Sequence, residues 1–233
     1  MLNNSRFIAI VPARGGSKRL KKKNILDLAG KPLILWTVDA AINSQYIDEV
    51  IVTSDDDEIL KKLHNYNVTI IKRPDELASD VAKSEDVVKH ALGLANNNFD
   101  PAKDFIVLLQ PTSPLRTAEH IDAAIEAIFI KNAESIVSVC ACEHSPLWTN
   151  VLPKDESMVN FINPEVRGKQ GQDLAQHYRL NGAIYICRIN KFLEQNTFLL
   201  NQHCYAFNME KRFSIDIDDE YDFRIAKALI TEQ

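Results

Sequence analysis

FIAIVPARGGSKRLKKKN, residues 7–24, joins a short apolar run to a glycine pair and a dense cluster of positive charge. The run at 7–11 is rich in β-branched residues and bounded by a turn signal, so it reads as a buried strand. The same signature recurs at 49–53, 68–71 and 105–109. Between these runs, residues 33–43, 56–65 and 84–96 carry apolar side chains at helical spacing, and a helix at 118–132 and a strand at 135–139 follow. Repeated β-α-β order predicts an α/β fold, a mostly parallel sheet with helices on both faces. Right-handed crossovers then set the strand C-terminal ends along one rim, where open α/β sheets bind their ligands.

The rhythm breaks from 145 to 178. That segment holds Pro146, Pro153 and Pro164, two glycines and many amides, with few apolar runs. It reads as an inserted arm that meets another subunit. Strands are expected again at 183–187 and 204–208, and a closing helix at 219–231. The expected organisation is one domain over 1–233 with the arm at roughly 145–178.

The 233 residues suffice for a full core without staples. Lys and Arg number 27 against 32 Asp and Glu, a formal net charge of −5. That balance argues against general nucleic-acid or membrane-surface binding, because both want a basic protein. The apolar stretch at 7–11 is too short for a signal peptide or a spanning helix, so the cytoplasm is the expected compartment. Cys140, Cys142, Cys187 and Cys204 show no CxxC pairing and read as reduced, buried thiols.

Against this acidic background, residues 14–23 carry six cationic side chains and no acid. Gly15 and Gly16 let the backbone turn tightly and bring its N–H groups near a ligand. Arg neutralises phosphate oxygens through paired hydrogen bonds, and Lys does so as a compact charge. A solvated basic loop is the bland alternative, but these charges sit where a parallel sheet places its active loop. Neither GxxxxGK[ST] nor GxGxxG is present, so the Walker A and Rossmann dinucleotide readings fail.

IVPARGGSKRLKKKN followed by GKPLI resembles the opening of the acylneuraminate cytidylyltransferases, the CMP-sialic acid synthetases. The likeness continues through VTSDDDEI (52–59), RPDELASD (73–80), LLQPTSPLRT (108–117), EHSP (143–146), YRLNGAIYI (178–186) and SIDIDDEYDF (214–223). The blocks keep the family's order and span nearly the whole chain. The resemblance implies a Rossmann-like nucleotidyltransferase fold, a homodimer built through the arm, and use of CTP with Mg2+ to activate an acidic nine-carbon sugar (a nonulosonate).

Carried over on that basis, Arg14, Lys18 and Lys23 match basic positions of the phosphate loop, within a nucleotide-binding stretch that includes Ala13 and Gly15. Lys23 is the expected partner of the α-phosphate. Asn24 and Ser84 match nucleotide-holding positions, with turn or helix capping as the structural alternative for each. Asp216 and Asp218 are the expected metal ligands and, with Arg14 and Lys23, the expected catalytic set. Were their segment extended, both carboxylates would share one face while Ile215 and Ile217 turn to the core. Mg2+ takes one or two carboxylates together with phosphate and water. The alternative is an acidic start to the closing helix, which suits Asp219 and Glu220 but explains Asp216 poorly.

Gln110, Arg179 and Tyr185 match sugar-binding positions. Gln110 both donates and accepts, which suits hydroxyls or an N-acyl group, and Pro111 and Pro114 stiffen its loop. Asp55 stands at the rim after the second strand with its role open. No histidine has an obvious claim as general base; His144 and His177 lie nearest by segment. One departure stands out. Family members often carry an arginine eight residues before the equivalent of Arg179, where this chain has Gly171, with Arg167 and Lys169 nearby. A Kdo-type cytidylyltransferase and a non-catalytic phosphate- or RNA-binding module are the rival readings.

Overall fold

A computed structural model describes residues 2–79, 81–95 and 99–232; Asp80 and Asn96, which close two of the segments above, lie outside it. The first apolar run forms β1 (Phe7–Pro12), and its side chains alternate between the two faces of a sheet. Phe7, Ala9 and Val11 face one core, with Ile34 and Val38 of α1 (Leu33–Ile42), Ile59 and Leu60 of α2 (Asp57–Lys61), and Ile121, Ala124 and Ile125 of α4 (Ala118–Ile130). Ile8 and Ile10 face the other, with Val88, Ala91 and Leu92 of α3 (Ser84–Leu94) and Phe192 of α5 (Ile189–Gln195). Burial on both faces is why the run is apolar at every position instead of alternating.

The principal sheet has seven strands in the order β5-β4-β1-β6-β8-β7-β9. β4 (Ile47–Ser54), β5 (Thr69–Lys72), β1 and β6 (Phe105–Leu108) are mutually parallel. β7 (Ser135–Ala141) and β9 (Cys204–Asn208) are parallel to each other. Between them and β6 runs β8 (Tyr178–Arg188), antiparallel to both its neighbours. The strand expected at 183–187 is therefore the second half of a longer element. A small hairpin, β2 (Asp27–Leu28) and β3 (Lys31–Pro32), leads into α1.

Other boundaries also moved. The helix expected over 56–65 is the single turn and a half of α2, and α5 was not anticipated. α6 (Glu220–Thr231) closes the chain where expected, with Asp219 as its N-cap. Phe192 and Phe198 pack together in the core, ring centroids 4.8 Å apart. From 142 to 177 the chain has only 3-10 turns, at Pro146–Trp148, Pro164–Val166 and Gly171–Asp173, between β7 and β8. The four cysteines are unpaired, but only Cys140 and Cys187 are buried; Cys142 and Cys204 are half-exposed, contrary to the expectation of four buried thiols. Among the described residues no helix is long and apolar enough to cross a membrane.

This order makes a switch point. From β1 the chain proceeds to β4 and β5 on one side, then returns at β6 on the other. The loops leaving the carboxyl ends of β1 and β6 diverge there and leave a crevice between them.

Candidate active site

A cleft of about 590 Å³ occupies that crevice. The loop after β1 lines it with Arg14, Ser17, Lys18, Arg19, Lys23 and Asn24, and the loop after β6 with Gln110, Pro111 and Thr112. Arg73 and Ser84 add a third side, and Asp216 and Asp218 a fourth. Eight of the expected site residues thus meet in one place: Arg14, Lys18, Lys23, Asn24, Ser84, Gln110, Asp216 and Asp218.

The acidic wall is built on Ile217. Its side chain is fully buried with Leu28, Leu33 and Ala226, and its N–H donates to the Thr112 carbonyl at 2.8 Å. An anchored central residue turns both neighbouring carboxylates outward. Helix capping falls to other acids: Asp219 accepts from the N–H groups of Tyr221 and Asp222, and Asp222 accepts from those of Asp218 and Asp219. The carboxylates of Asp216 and Asp218 take no part in that cap.

The Lys23 ammonium donates to the Ile217 carbonyl, between the two acids. Burial lowers its pKa from the usual lysine value; Asp218 and Asp216 oppose that shift, while Arg19 and Arg14 add to it. Asp216 is raised above the ordinary aspartate value, chiefly by burial, with Asp218 adding like charge and a Thr112 hydrogen bond and Lys23 opposing. Arg19 Nη1 stands 2.8 Å from Asp218 Oδ2. The cationic loop and the acidic pair are in direct contact across the cleft.

The remaining site residues serve otherwise. Ala13 is buried and its N–H pairs with Thr53 of β4 at 2.9 Å. The Gly15 N–H, expected to face a ligand, donates instead to the Asp55 carboxylate at 3.2 Å. Asp55 also accepts from Arg73 Nη2 at 3.2 Å, which gives it a role as loop anchor. Any residue but proline could make the N–H bond to Asp55; glycine itself is required because a Cβ there would lie 2.6 Å from Asp56 Oδ2. Asn24 is buried and donates to the Arg14 carbonyl at 2.9 Å, so it stitches the loop as well as lining the cleft. Ser84 does not cap α3; the N-cap is Lys83, with no side-chain capping bond.

Arg179 and Tyr185 are not in the cleft lining. Arg179 is exposed and donates to the Ser214 carbonyl at 3.1 Å, which ties it to the strand of chain that bears the acidic pair. Tyr185 is half-buried against Phe198, within electrostatic reach of Asp216 and Glu85, and burial raises its phenol pKa. Gly171 lies under Trp148, whose Cη2 would be 3.3 Å from an added Cβ. Arg167 and Lys169 are exposed on the arm, and no histidine lines the cleft.

Four residues escaped the sequence reading although each lies in a block quoted for the resemblance. Arg73 is 4% exposed, and its Nε has no partner among the described residues. Asn181 is buried, accepts from Ser138 Oγ at 2.6 Å and donates to Ser214 Oγ at 2.9 Å. Gly182 has φ +74°, and a Cβ there would lie 2.8 Å from Gln110 Oε1 and 3.3 Å from Asp216 Oδ2. Arg116 is buried beneath the loop after β6. Asn181 and Gly182 interrupt an apolar stretch, which composition alone does not separate from a turn, while Arg73 and Arg116 stand in polar, proline-containing segments that read as exposed loop.

An open α/β sheet whose switch point holds a cationic glycine loop facing two carboxylates defines a nucleotide-handling site of the nucleotidyltransferase type. The comparisons agree. The family model described as cytidylyltransferase matches residues 8–230, and the chain belongs to that family. It is 34% identical over 223 residues to an N-acylneuraminate cytidylyltransferase of Escherichia coli O18:K1:H7, covering 95% of this chain and 51% of the relative. The chain spans about half the length of the N-acylneuraminate cytidylyltransferases it matches. It is 34% identical to a CMP-N,N'-diacetyllegionaminic acid synthase of Legionella pneumophila, covering 97% of this chain and 96% of the relative. To a pseudaminic acid cytidylyltransferase of Campylobacter jejuni it is 31% identical, covering 95% of each chain. The fold is similar to that of a CMP:2-keto-3-deoxy-manno-octonic acid synthetase solved with CTP, with a TM-score of 0.72, 17% identity and coverage of 98% and 99%.

Proposed function

We propose that this chain transfers CMP from CTP to the anomeric hydroxyl of an acidic nine-carbon sugar, releasing pyrophosphate, with Mg2+ as the metal. The observation that carries the reading is the Lys23 contact with Ile217, which sets the phosphate-loop cation between Asp216 and Asp218. The names of the relatives, which act on sialic, legionaminic and pseudaminic acids, support the acceptor class.

The donor set fits Mg2+. Two outward carboxylates on an anchored backbone supply the one or two protein oxygens this ion takes, and phosphate and water complete its shell. Asp216 and Asp218 are the residues that would hold Mg2+, which would supply charge neutralisation on the phosphates.

The chain's own groups do the rest. Arg14, Lys18 and Lys23 hold the triphosphate and offset the charge that gathers on the α-phosphoryl oxygens and on departing pyrophosphate. Asn24 fixes the loop in that geometry, and Ser84 contributes a hydroxyl from the opposite side. Gln110 receives the sugar beside the acidic pair, with Arg179 and Tyr185 bordering it from β8. Catalysis comes mainly from orientation and charge stabilisation, since an anomeric hydroxyl is more acidic than an ordinary alcohol.

The arm at 145–178 is proposed to form a homodimer. Val151, Leu152, Met158 and Val159 are 52–86% exposed, a concentration of apolar surface that suits a partner. Free thiols suit a reducing compartment, the cytoplasm.

The test is pyrophosphate release with CTP, Mg2+ and a panel of N-acetylneuraminate, legionaminate, pseudaminate and Kdo. Turnover with a nine-carbon acid, abolished in a folded Asp218→Ala variant, is expected. Preference for Kdo, or near-normal release by D218A, refutes the reading.

A further inference from the structure

Arg116 is a charged side chain in an unusual place. It is 2% exposed, and among the described residues it has no carboxylate partner; its Nε and Nη2 meet no acceptor. Burial alone pulls the guanidinium down to about 9, so it keeps its proton at neutral pH. An unpaired buried charge is among the costliest groups a fold can hold, and an apolar side chain of similar volume is often the more stable choice. Fold stability is therefore a poor reason for this arginine.

Its one committed nitrogen points to a different reason. Nη1 donates to two carbonyls, Gln110 at 3.3 Å and Ala183 at 2.9 Å. The first belongs to the residue that opens the loop after β6. The second follows Gly182, whose left-handed backbone and missing side chain leave the space that the Gln110 amide enters beside Asp216. Pro111 and Pro114 cannot donate from their own backbone nitrogens, so a loop that carries both has fewer ways to bind itself down. The Gln110 carbonyl also accepts from the Ser113 N–H at 3.3 Å and the Thr37 hydroxyl at 3.4 Å; the guanidinium is the donor that joins it from beneath to β8.

We propose that Arg116 is a positioning residue for the acceptor half of the site, acting through Gln110. The inference rests on the reading that Gln110 receives the sugar. In it, Nη1 of Arg116 holds the Gln110 backbone at a fixed height over Gly182, and so fixes where the amide meets the acceptor.

A double-variant cycle tests this on the intact chain, with KM for the sugar and for CTP, kcat and thermal midpoint measured for R116K, Q110A and the pair. Lys keeps the charge but its ammonium falls one bond short of the position Nη1 holds. R116K and Q110A are each expected to raise the acceptor KM about tenfold, the size of a lost charged hydrogen bond, with CTP KM within about twofold. The pair is expected to be no worse than Q110A alone, because the two act as one unit. Arg116→Met, which keeps the volume and removes the donor to the Gln110 and Ala183 carbonyls, gives a second entry: it should raise acceptor KM in wild type and much less in Q110A. This arm decides the matter if R116K does not fold. Multiplying effects in the pairs, or a fall in thermal midpoint with no change in acceptor KM, overturn the proposal. A normal acceptor KM in Q110A overturns the sugar-binding reading of Gln110 itself, and the proposal with it.

Discussion

Arg19 Nη1 and Asp218 Oδ2 stand 2.8 Å apart, an ion pair that closes the cationic loop onto the acidic wall. Both side chains are more than half exposed, at 69% and 56%, so the pair contributes at most about 1 kcal/mol. It nonetheless uses the oxygen that a metal would take. Arg19→Ala is expected to lower the Mg2+ concentration for half-maximal rate by about two- to fivefold, the range that energy allows. Titration of activity with Mg2+ at saturating CTP checks it, and a higher Mg2+ requirement counts against a metal on Asp218.

Lys23 donates to the Ile217 carbonyl between the two acids, and under the proposed function its positive charge offsets the negative charge that gathers on the α-phosphoryl oxygens. Lys23→Ala is expected to lower kcat by about 10²–10³ while acceptor KM changes little. Steady-state kinetics decide; a loss under about tenfold would move the main catalytic charge to Arg14 or Lys18.

Gly15 has no room for a side chain against Asp56. Gly15→Ala should displace the loop, raise CTP KM, and lower stability by about 1–3 kcal/mol. Because Asp56 is the N-cap of α2, where glycine is nearly as good, Asp56→Gly clears the space at little cost. The double variant G15A/D56G is expected to recover most of the CTP affinity. Failure to recover would mean that the Gly15 backbone, not the space beside it, is what matters.

Burial pushes the Cys187 thiol up to about 12, so at pH 8 it is both covered and protonated. Cys142 and Cys204 are half-exposed. Maleimide at pH 8 should label those two in the native protein, and Cys140 and Cys187 only after denaturant, as mass spectrometry of peptides would show. Early labelling of Cys187 would contradict the packing of β8 between β6 and β7.

The parallel half of the sheet was legible because each of its strands is an apolar run and each crossover a periodic helix. The direction of β8 was not, since side-chain alternation is the same whichever way a strand runs. Arg179 and the Asn181-Gly182 pair interrupt its first half, so the apolar signature begins only at Ala183. Asp216 and Asp218 were legible through period-two spacing about a buried Ile217. Arg116 and Asn181 were not, because a buried polar residue is identified by its partners, and these lie about 67 and 43 positions away along the chain. Gly15 was expected to offer its N–H to a ligand; a distant acid, Asp55, already accepts it.

β8 begins where the arm ends and passes Arg179, Asn181, Gly182 and Tyr185 before it reaches the far rim. The arm thus feeds directly into an eleven-residue strand whose pairing with β7 shifts register around Gly182. Whatever holds the arm therefore holds the near end of the strand whose Gly182 lies against Gln110 and Asp216.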